Sequence, residues 1–347
     1  MARLFERYAL RGMQLANRIV VSPMCQYSAD DGRASAWHSA HLGSMALSGA
    51  GLMFVEATAV TDEGRITPGC LGLWSDAHAA ALAPAVAVIR AAAPIRLGIQ
   101  LSHAGRKASS AAPWDGGRLI ARDAGGWQPV APSAIAGDPA EPPPRALAID
   151  ELPAIRAAFA SAGRRALDLG FDAIELHMAH GYLLHQFLSP VANHRTDAYG
   201  GSFDNRIRFP LEVFDAVRAV FPADRPVGVR VSATDWLPDE PSWTLEQTET
   251  FAQAPGYQVP LAAAVRRASG LPTIAVGLIT EPRQAEAIVA DGLADLVALA
   301  RGVLYDPRWA WHAAAQLGAK VPAPRQYWRA VPRDVGALFE GAHFGQR

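Results

Sequence analysis

Seven short stretches of this chain are apolar almost from end to end, and that pattern limits the fold more than any other feature. They are Arg18–Met24, Gly51–Ala57, Ile95–Gln100, Ala173–Leu176, Pro226–Val231, Thr273–Val276 and Leu296–Leu299. A strand with one wet face alternates polar and apolar residues, whereas a continuous apolar run needs both faces covered, as in parallel sheets. Helical patterns rich in Ala and Leu lie between the runs, over Ala36–Leu47, Asp76–Ala92, Asp150–Leu169, Arg206–Val220, Val259–Ser269 and Pro282–Ala290. Strand followed by helix, repeated, predicts an α/β fold with a parallel sheet. The 347 residues fit one parallel α/β barrel, a fold that commonly takes ~250–400 residues in a single domain.

The count is seven strands where a closed barrel of this type has eight. The gap falls between Arg230 and Thr273, where 42 residues must hold two helices and their loops. Thr244-Leu-Glu-Gln247 is a capping box that starts the first helix, with Thr244 as N-cap and Gln247 reaching back. That helix stops at Ala254-Pro255-Gly256, and no apolar strand follows it. One strand and its loop are therefore expected to be missing. The proline-rich stretch from Ser102 to Ile149, including Pro142-Pro-Pro144, reads as a surface insertion within a single domain covering residues 1–347.

Composition removes several classes. Lys and Arg number 32 against 33 Asp and Glu, a net charge of −1, so no basic field draws nucleic acid. Two cysteines, Cys25 and Cys70, make no disulfide framework and suggest a reduced, cytoplasmic setting. The first residues hold no apolar run of signal-peptide length. The stretch Ala77–Ile95 is broken by Pro84, Arg90 and Pro94 and is not expected to span a membrane.

The strongest chemical signal is Glu175-Leu-His177-Met-Ala-His180-Gly-Tyr182. His177 stands at the C-terminal end of a strand, the edge where barrels place catalytic groups, and His180 and Tyr182 follow in the loop. Three polar rings can then converge over one cavity. His185 and His194 read instead as histidines that satisfy nearby backbone. His-x-x-His could also supply two metal ligands, but no further run with ligand spacing is evident, so no metal is expected. Ser22-Pro-Met-Cys25-Gln-Tyr27 ends the first run, and Gln100 ends the third. At the last two strand ends, Val276-Gly277 and Ala300-Arg301-Gly302 suit a phosphate held by backbone amides and a cation. Together with Arg230 they favour a phosphorylated cofactor.

These motifs, with Gln100-Leu-Ser-His-Ala-Gly-Arg106, Asn193-His-Arg-Thr-Asp197, Asn205-Arg206 and Asp306-Pro307, resemble the Old Yellow Enzyme family. The Cys25 and Tyr27 pair resembles its thermophilic-like, xenobiotic reductase subgroup. The resemblance runs from about residue 2 to residue 335 and implies a (β/α)8 barrel holding FMN. It implies an NADPH dehydrogenase acting as an ene reductase on α,β-unsaturated carbonyl or nitro compounds. Ser22, Pro23, Met24, Cys25, Ala57, Gln100 and Arg230 would then line the flavin. Gly277, Ala300, Arg301 and Gly302 would hold its phosphate. His177 and His180 would donate to a substrate oxygen, Tyr182 would give the proton, and Tyr27 would line the substrate pocket. Residues 322–347 resemble a subunit-contact segment, with Arg329 reaching a neighbouring site in a homodimer or homotetramer. Family spacing also places a sixth strand before Pro255-Gly-Tyr-Gln-Val-Pro260, where this chain has none. A flavin-binding barrel with impaired catalysis is the alternative reading.

Overall fold

A computed structural model describes residues 2–237, 239–252 and 259–343. Among them, seven parallel strands form one sheet. In chain order these are β1 (Ile19–Val21), β2 (Leu52–Ala59), β3 (Arg96–Ser102), β4 (Ala173–Met178), β5 (Val227–Val231), β6 (Ile274–Val276) and β7 (Leu296–Leu299). Their spatial order is β6-β7-β1-β2-β3-β4-β5. All seven fall where continuous apolar runs predict them. β2 is buried along its whole length, as a strand covered on both faces must be.

The sheet is curled but open. β5 pairs only with β4 and β6 only with β7, and no strand lies between β5 and β6 among the described residues. Exposure follows from this. β5 is largely half-buried and its Gly228 is exposed, in contrast to the fully buried β2. The expected helix after Thr244 is present as α6 (Leu245–Ala252), and its predicted stop at residues 254–256 lies outside the described residues.

Five further helices match the sequence pattern: α1 (Ala36–Ala46), α2 (Asp76–Ala92), α3 (Leu152–Asp168), α5 (Phe203–Val220) and α8 (Pro282–Ala290). So does α7 (Val259–Ser269). Short pieces escaped it: α4 (Leu183–Leu188), α9 (Arg301–Tyr305), α10 (Trp309–Leu317) and an antiparallel hairpin of Tyr8–Leu10 with Met13–Leu15. α4 and α9, of one or two turns, show too little periodicity to stand out. The principal core lies between sheet and helices, around Phe159, Phe171, Phe187 and Phe209. A smaller one lies inside the curl, around Val20, Leu52, Phe54 and Leu296.

Gly51 shows how tightly β1 and β2 are joined. A Cβ there would stand 2.4 Å from the backbone oxygen of Asn17, whose side chain donates to the Gly49 carbonyl at 2.8 Å. Backbone cannot yield as a flexible side chain can. Gly51→Ala is expected to destabilise the protein by ~1–3 kcal/mol, read as a lower urea midpoint at unchanged slope. An unchanged midpoint would show that the β1–β2 junction relaxes freely.

Candidate active site at the strand ends

Strand register decides which residues meet. Gln100 of β3 lies opposite Glu175 of β4, and His177 of β4 opposite Arg230 of β5. Ala57 of β2 is the partner of Gln100 on the other side. Gln100 Nε2 donates to Glu175 Oε1, which lies 3.9 Å from Arg230 Nη1. Burial raises the Glu175 pKa, against the pull of Arg230 and Gln100. Amide, carboxyl and guanidinium thus form one row under the rim.

Beyond β1 the chain crosses to β7, because the Ser22 N–H donates to the Leu299 carbonyl at 2.9 Å. The Ser22 hydroxyl is buried and has no partner among the described residues. Pro23, Met24 and Cys25 follow, and the Gln26 N–H donates to Glu56 at 3.0 Å. Burial, then Glu56, pushes the Cys25 thiol well up, so it stays protonated. The Tyr27 phenol is pushed up by burial as well, and its ring meets Trp114 edge-on with centroids 5.4 Å apart. Glu56 is the one charged residue inside the apolar β2, and sequence reasoning passed over it. It sits at a break in the β2–β3 register and lies 3.3 Å from His38, both side chains buried.

The three expected rings converge. His177 Nδ1 accepts from the Ala179 N–H at 3.2 Å, so its proton resides on Nε2. That nitrogen is 3.3 Å from His180 Nδ1. Tyr182 packs edge-on against His177, centroids 4.7 Å apart. Loss of hydration, then the neighbouring cations, holds His177 well below the usual imidazole range and His180 at about 4. Both are neutral at pH 7. Burial drives the Tyr182 phenol well upward. His180 holds the left-handed conformation (φ +58°), its N–H donating to Ser232 Oγ at 3.0 Å and its carbonyl accepting from Lys107 Nζ at 2.7 Å. Lys107 and Ser232 were missed as positioning residues, because nothing local to their segments marks a bond to a distant backbone. His185 satisfies backbone as expected, accepting from the Gly181 N–H at 2.8 Å, and also lies 3.3 Å from Asp235.

Across the rim, Gly277 has φ +130° and Ala300 caps α9, which opens with the exposed Arg301. A Cβ on Gly302 would meet only the Ile279 oxygen at 3.9 Å, so close packing does not demand glycine there. Arg329 lies exposed on a turn over Arg325–Ala330 and makes no hydrogen bond to these groups among the described residues. Among the described residues no group of three or more His, Cys, Asp or Glu is placed to hold a metal ion.

The NADH:flavin oxidoreductase / NADH oxidase family matches residues 3–253 and 242–320. The chain belongs to this family. It is an oxidoreductase of the Old Yellow Enzyme type, and the family's flavin is FMN. It is 43% identical to an NADPH dehydrogenase of Geobacillus thermodenitrificans over 350 residues, 94% of this chain and 98% of that one. It is 41% identical to an NADPH dehydrogenase of Bacillus subtilis over 351 residues, again 94% and 98%. Among solved structures, morphinone reductase superposes with a TM-score of 0.75 at 28% identity, covering 98% of this chain and 94% of the other. An old yellow enzyme homologue from Zymomonas mobilis gives 0.74 at 26% identity, covering 92% and 94%.

The residues fit a riboflavin phosphate. A buried hydroxyl with no partner, a carboxamide, a guanidinium and a glycine-bearing strand end with an exposed arginine supply the donors such a group needs.

His103, on the loop beneath Tyr182, generates a pH test. It is fully buried, its carbonyl accepts from the Leu183 N–H at 2.9 Å, and burial alone holds its pKa at about 4. The unfolded chain binds this proton below about pH 6.5 and the folded one only near 4, so folding stability falls as pH drops through that window. His103→Asn keeps an acceptor for the Gly105 N–H that His103 Nδ1 now serves at 3.0 Å. From pH 7 to 4.5 the parent is expected to lose ~2 kcal/mol more than the variant. Parallel losses in urea melts would contradict the burial argument.

Proposed function

We propose that the chain reduces the activated C=C bond of α,β-unsaturated carbonyl or nitro compounds, with NADPH as the electron donor. The observation that carries this reading is the pair of neutral imidazoles, Nε2 of His177 and Nδ1 of His180, 3.3 Å apart beside Tyr182. The relatives named NADPH dehydrogenase support the choice of donor.

FMN, when bound, supplies the hydride chemistry that no side chain can perform. In the proposed assignment Ser22, Pro23, Met24, Cys25, Ala57 and Gln100 bed its ring. Arg230 would hold the ring from the side with its positive charge, and Gly277, Ala300, Arg301 and Gly302 would hold the phosphate. His177 already presents its Nε2–H. His180 presents Nδ1–H by taking the other neutral tautomer, which a substrate oxygen between the two rings would favour. Two such donors aimed at one developing oxyanion each contribute ~3 kcal/mol. Tyr182, protonated throughout the neutral range, delivers its proton to the α-carbon. Tyr27 and Cys25 border the substrate space. Arg329 points to a partner subunit of a homodimer or homotetramer, since within its own chain it stays exposed.

The open edge between β5 and β6 gives the second reading, a flavin-binding protein with impaired turnover. Eight-stranded relatives would place a sixth strand there. The Geobacillus match runs over 350 positions yet covers 94% of this 347-residue chain, and the family match restarts at residue 242 before its first part ends at 253. The first supports a shortened chain, and the second supports a break near residues 242–253.

Anaerobic addition of NADPH separates the readings: bleaching of bound flavin, then recovery of colour with an enone, is the expected result. Flavin that stays oxidised would leave only the second. Tyr182→Phe is expected to slow recolouring by ~10²-fold or more with bleaching little changed. An equal loss in both half-reactions would remove Tyr182 as proton donor. His177→Ala is expected to weaken phenol binding ~10-fold. Phenol affinity matching the parent's would take His177 out of the oxygen-binding pair.

A further inference from the structure

His180 and Gly181 stand consecutively in the left-handed region, at φ +58° and +74°. A histidine is strained there and persists only where its surroundings hold the turn on several sides. Here side chains take up every polar backbone group of the pair. The His180 N–H donates to Ser232 Oγ, after β5, and its carbonyl accepts from Lys107, after β3. The Gly181 N–H donates to His185 Nδ1 at 2.8 Å, and its carbonyl accepts from Gln186 Nε2 at 2.7 Å, both from α4.

His185 is buried and uses Nδ1 as an acceptor, so its proton resides on Nε2, which faces Asp235 Oδ1 at 3.3 Å. Asp235 Oδ2 accepts from the Ser189 hydroxyl at 2.6 Å and from the Trp243 N–H at 2.8 Å. Burial pushes this carboxyl up, but the bonds from His185, Ser189 and Trp243 outweigh it and hold it below its usual value. A carboxylate serves all of these donors at once, whereas a carboxamide would turn its NH2 toward one of them.

We propose that Asp235 and His185 are positioning residues for substrate binding: the carboxylate fixes the His185 tautomer, and His185 fixes the Gly181 amide. Gly181 joins His180 directly to Tyr182, so a rotation of its peptide group swings both rings. A shift of about 1 Å in such groups can cost ~10²-fold in rate. The inference rests on the roles proposed above for His180 and Tyr182.

The test reads phenol affinity and backbone hydrogen exchange of the FMN-loaded protein. His185→Leu keeps bulk but removes the acceptor, and is expected to weaken phenol ~10-fold and speed exchange at the Gly181 amide. His185→Asn offers a carboxamide oxygen in place of Nδ1 and is expected to restore phenol affinity to within about threefold of the parent. Asp235→Asn is expected to match His185→Leu. A carboxamide that keeps Ser189 and Trp243 on its oxygen turns its NH2 toward Nε2, and the imidazole proton then moves to Nδ1, against the Gly181 N–H. Where His185→Leu fails to fold, Asp235→Asn decides the matter alone. A role in packing only would leave His185→Asn no better than His185→Leu, and that result would overturn the proposal. So would parental phenol affinity and Gly181 exchange in His185→Leu or Asp235→Asn. Neither readout needs alkene reduction, and amide exchange still reports where phenol does not bind, so this clamp and the proposed activity can fail separately.

Discussion

The parallel ladder from β3 through β4 to β5 is the constraint on which the site depends. Residues two apart on a strand share a face, so Ala173, Glu175 and His177 point the same way along β4. Register then sets Gly98 beside Ala173, Gln100 beside Glu175, Gly228 beside Glu175 and Arg230 beside His177. Gln100, Glu175, His177 and Arg230, the upper members, form the rim. A slip of one residue in β4 would send all three outward and carry Leu176 and Met178 inward. Catalytic geometry here is thus a consequence of hydrophobic burial. The apolar outward residues Leu176 and Met178 are fully buried against the helices, and that burial holds the register.

Polar groups under the rim are held by exchange of hydrogen bonds rather than by hydration. Glu56 meets both the Gln26 N–H and His38, and Glu175 meets Gln100. An unpaired buried carboxylate would be far costlier than either arrangement. Charges this close also keep the imidazoles neutral: Arg230 and Lys107 both oppose protonation of His177 and His180. A neutral imidazole can still donate, and it gives up nothing as pH varies around neutrality. The same cations that steady negative charge at the rim therefore preserve its hydrogen-bond donors.

Much of this was legible in the chain itself because the signals are local. Continuous apolar runs marked all seven strands of the main sheet, though not the short parallel pair Val130–Ala131 and Arg145–Ala146, and His177, His180 and Tyr182 lie within six residues of sequence. Their convergence needs only one strand end and one turn. Gly302 and Arg329 illustrate the opposite case. Nothing in the fold requires glycine at 302, and Arg329 is exposed on its turn, so those assignments rest on family likeness. Lys107, Ser232 and Glu56 were illegible for a physical reason: each acts on a group distant in sequence, through contacts that exist only once the sheet has curled. Glu56 alone left a trace, as a carboxylate inside an eight-residue strand that is otherwise uncharged.

The open edge follows from the same sequence logic, read in reverse. Two strand edges without neighbours present unpaired donors and acceptors, which are costly when buried and tolerable when water reaches them. The exposure pattern agrees with the second condition, since Gly228 and parts of β5 and β6 are accessible. Hydration of those edges is compatible with the seven strands found among the described residues. It also means that, among the described residues, β6 pairs with no strand but β7, through a ladder of three paired residues. Gly277, directly after β6, inherits that looseness, whereas His177 stands on a strand paired on both sides. The imidazole pair is consequently better anchored than the strand end opposite it, and any weakness of the open sheet falls first on the strand end proposed to hold the flavin phosphate.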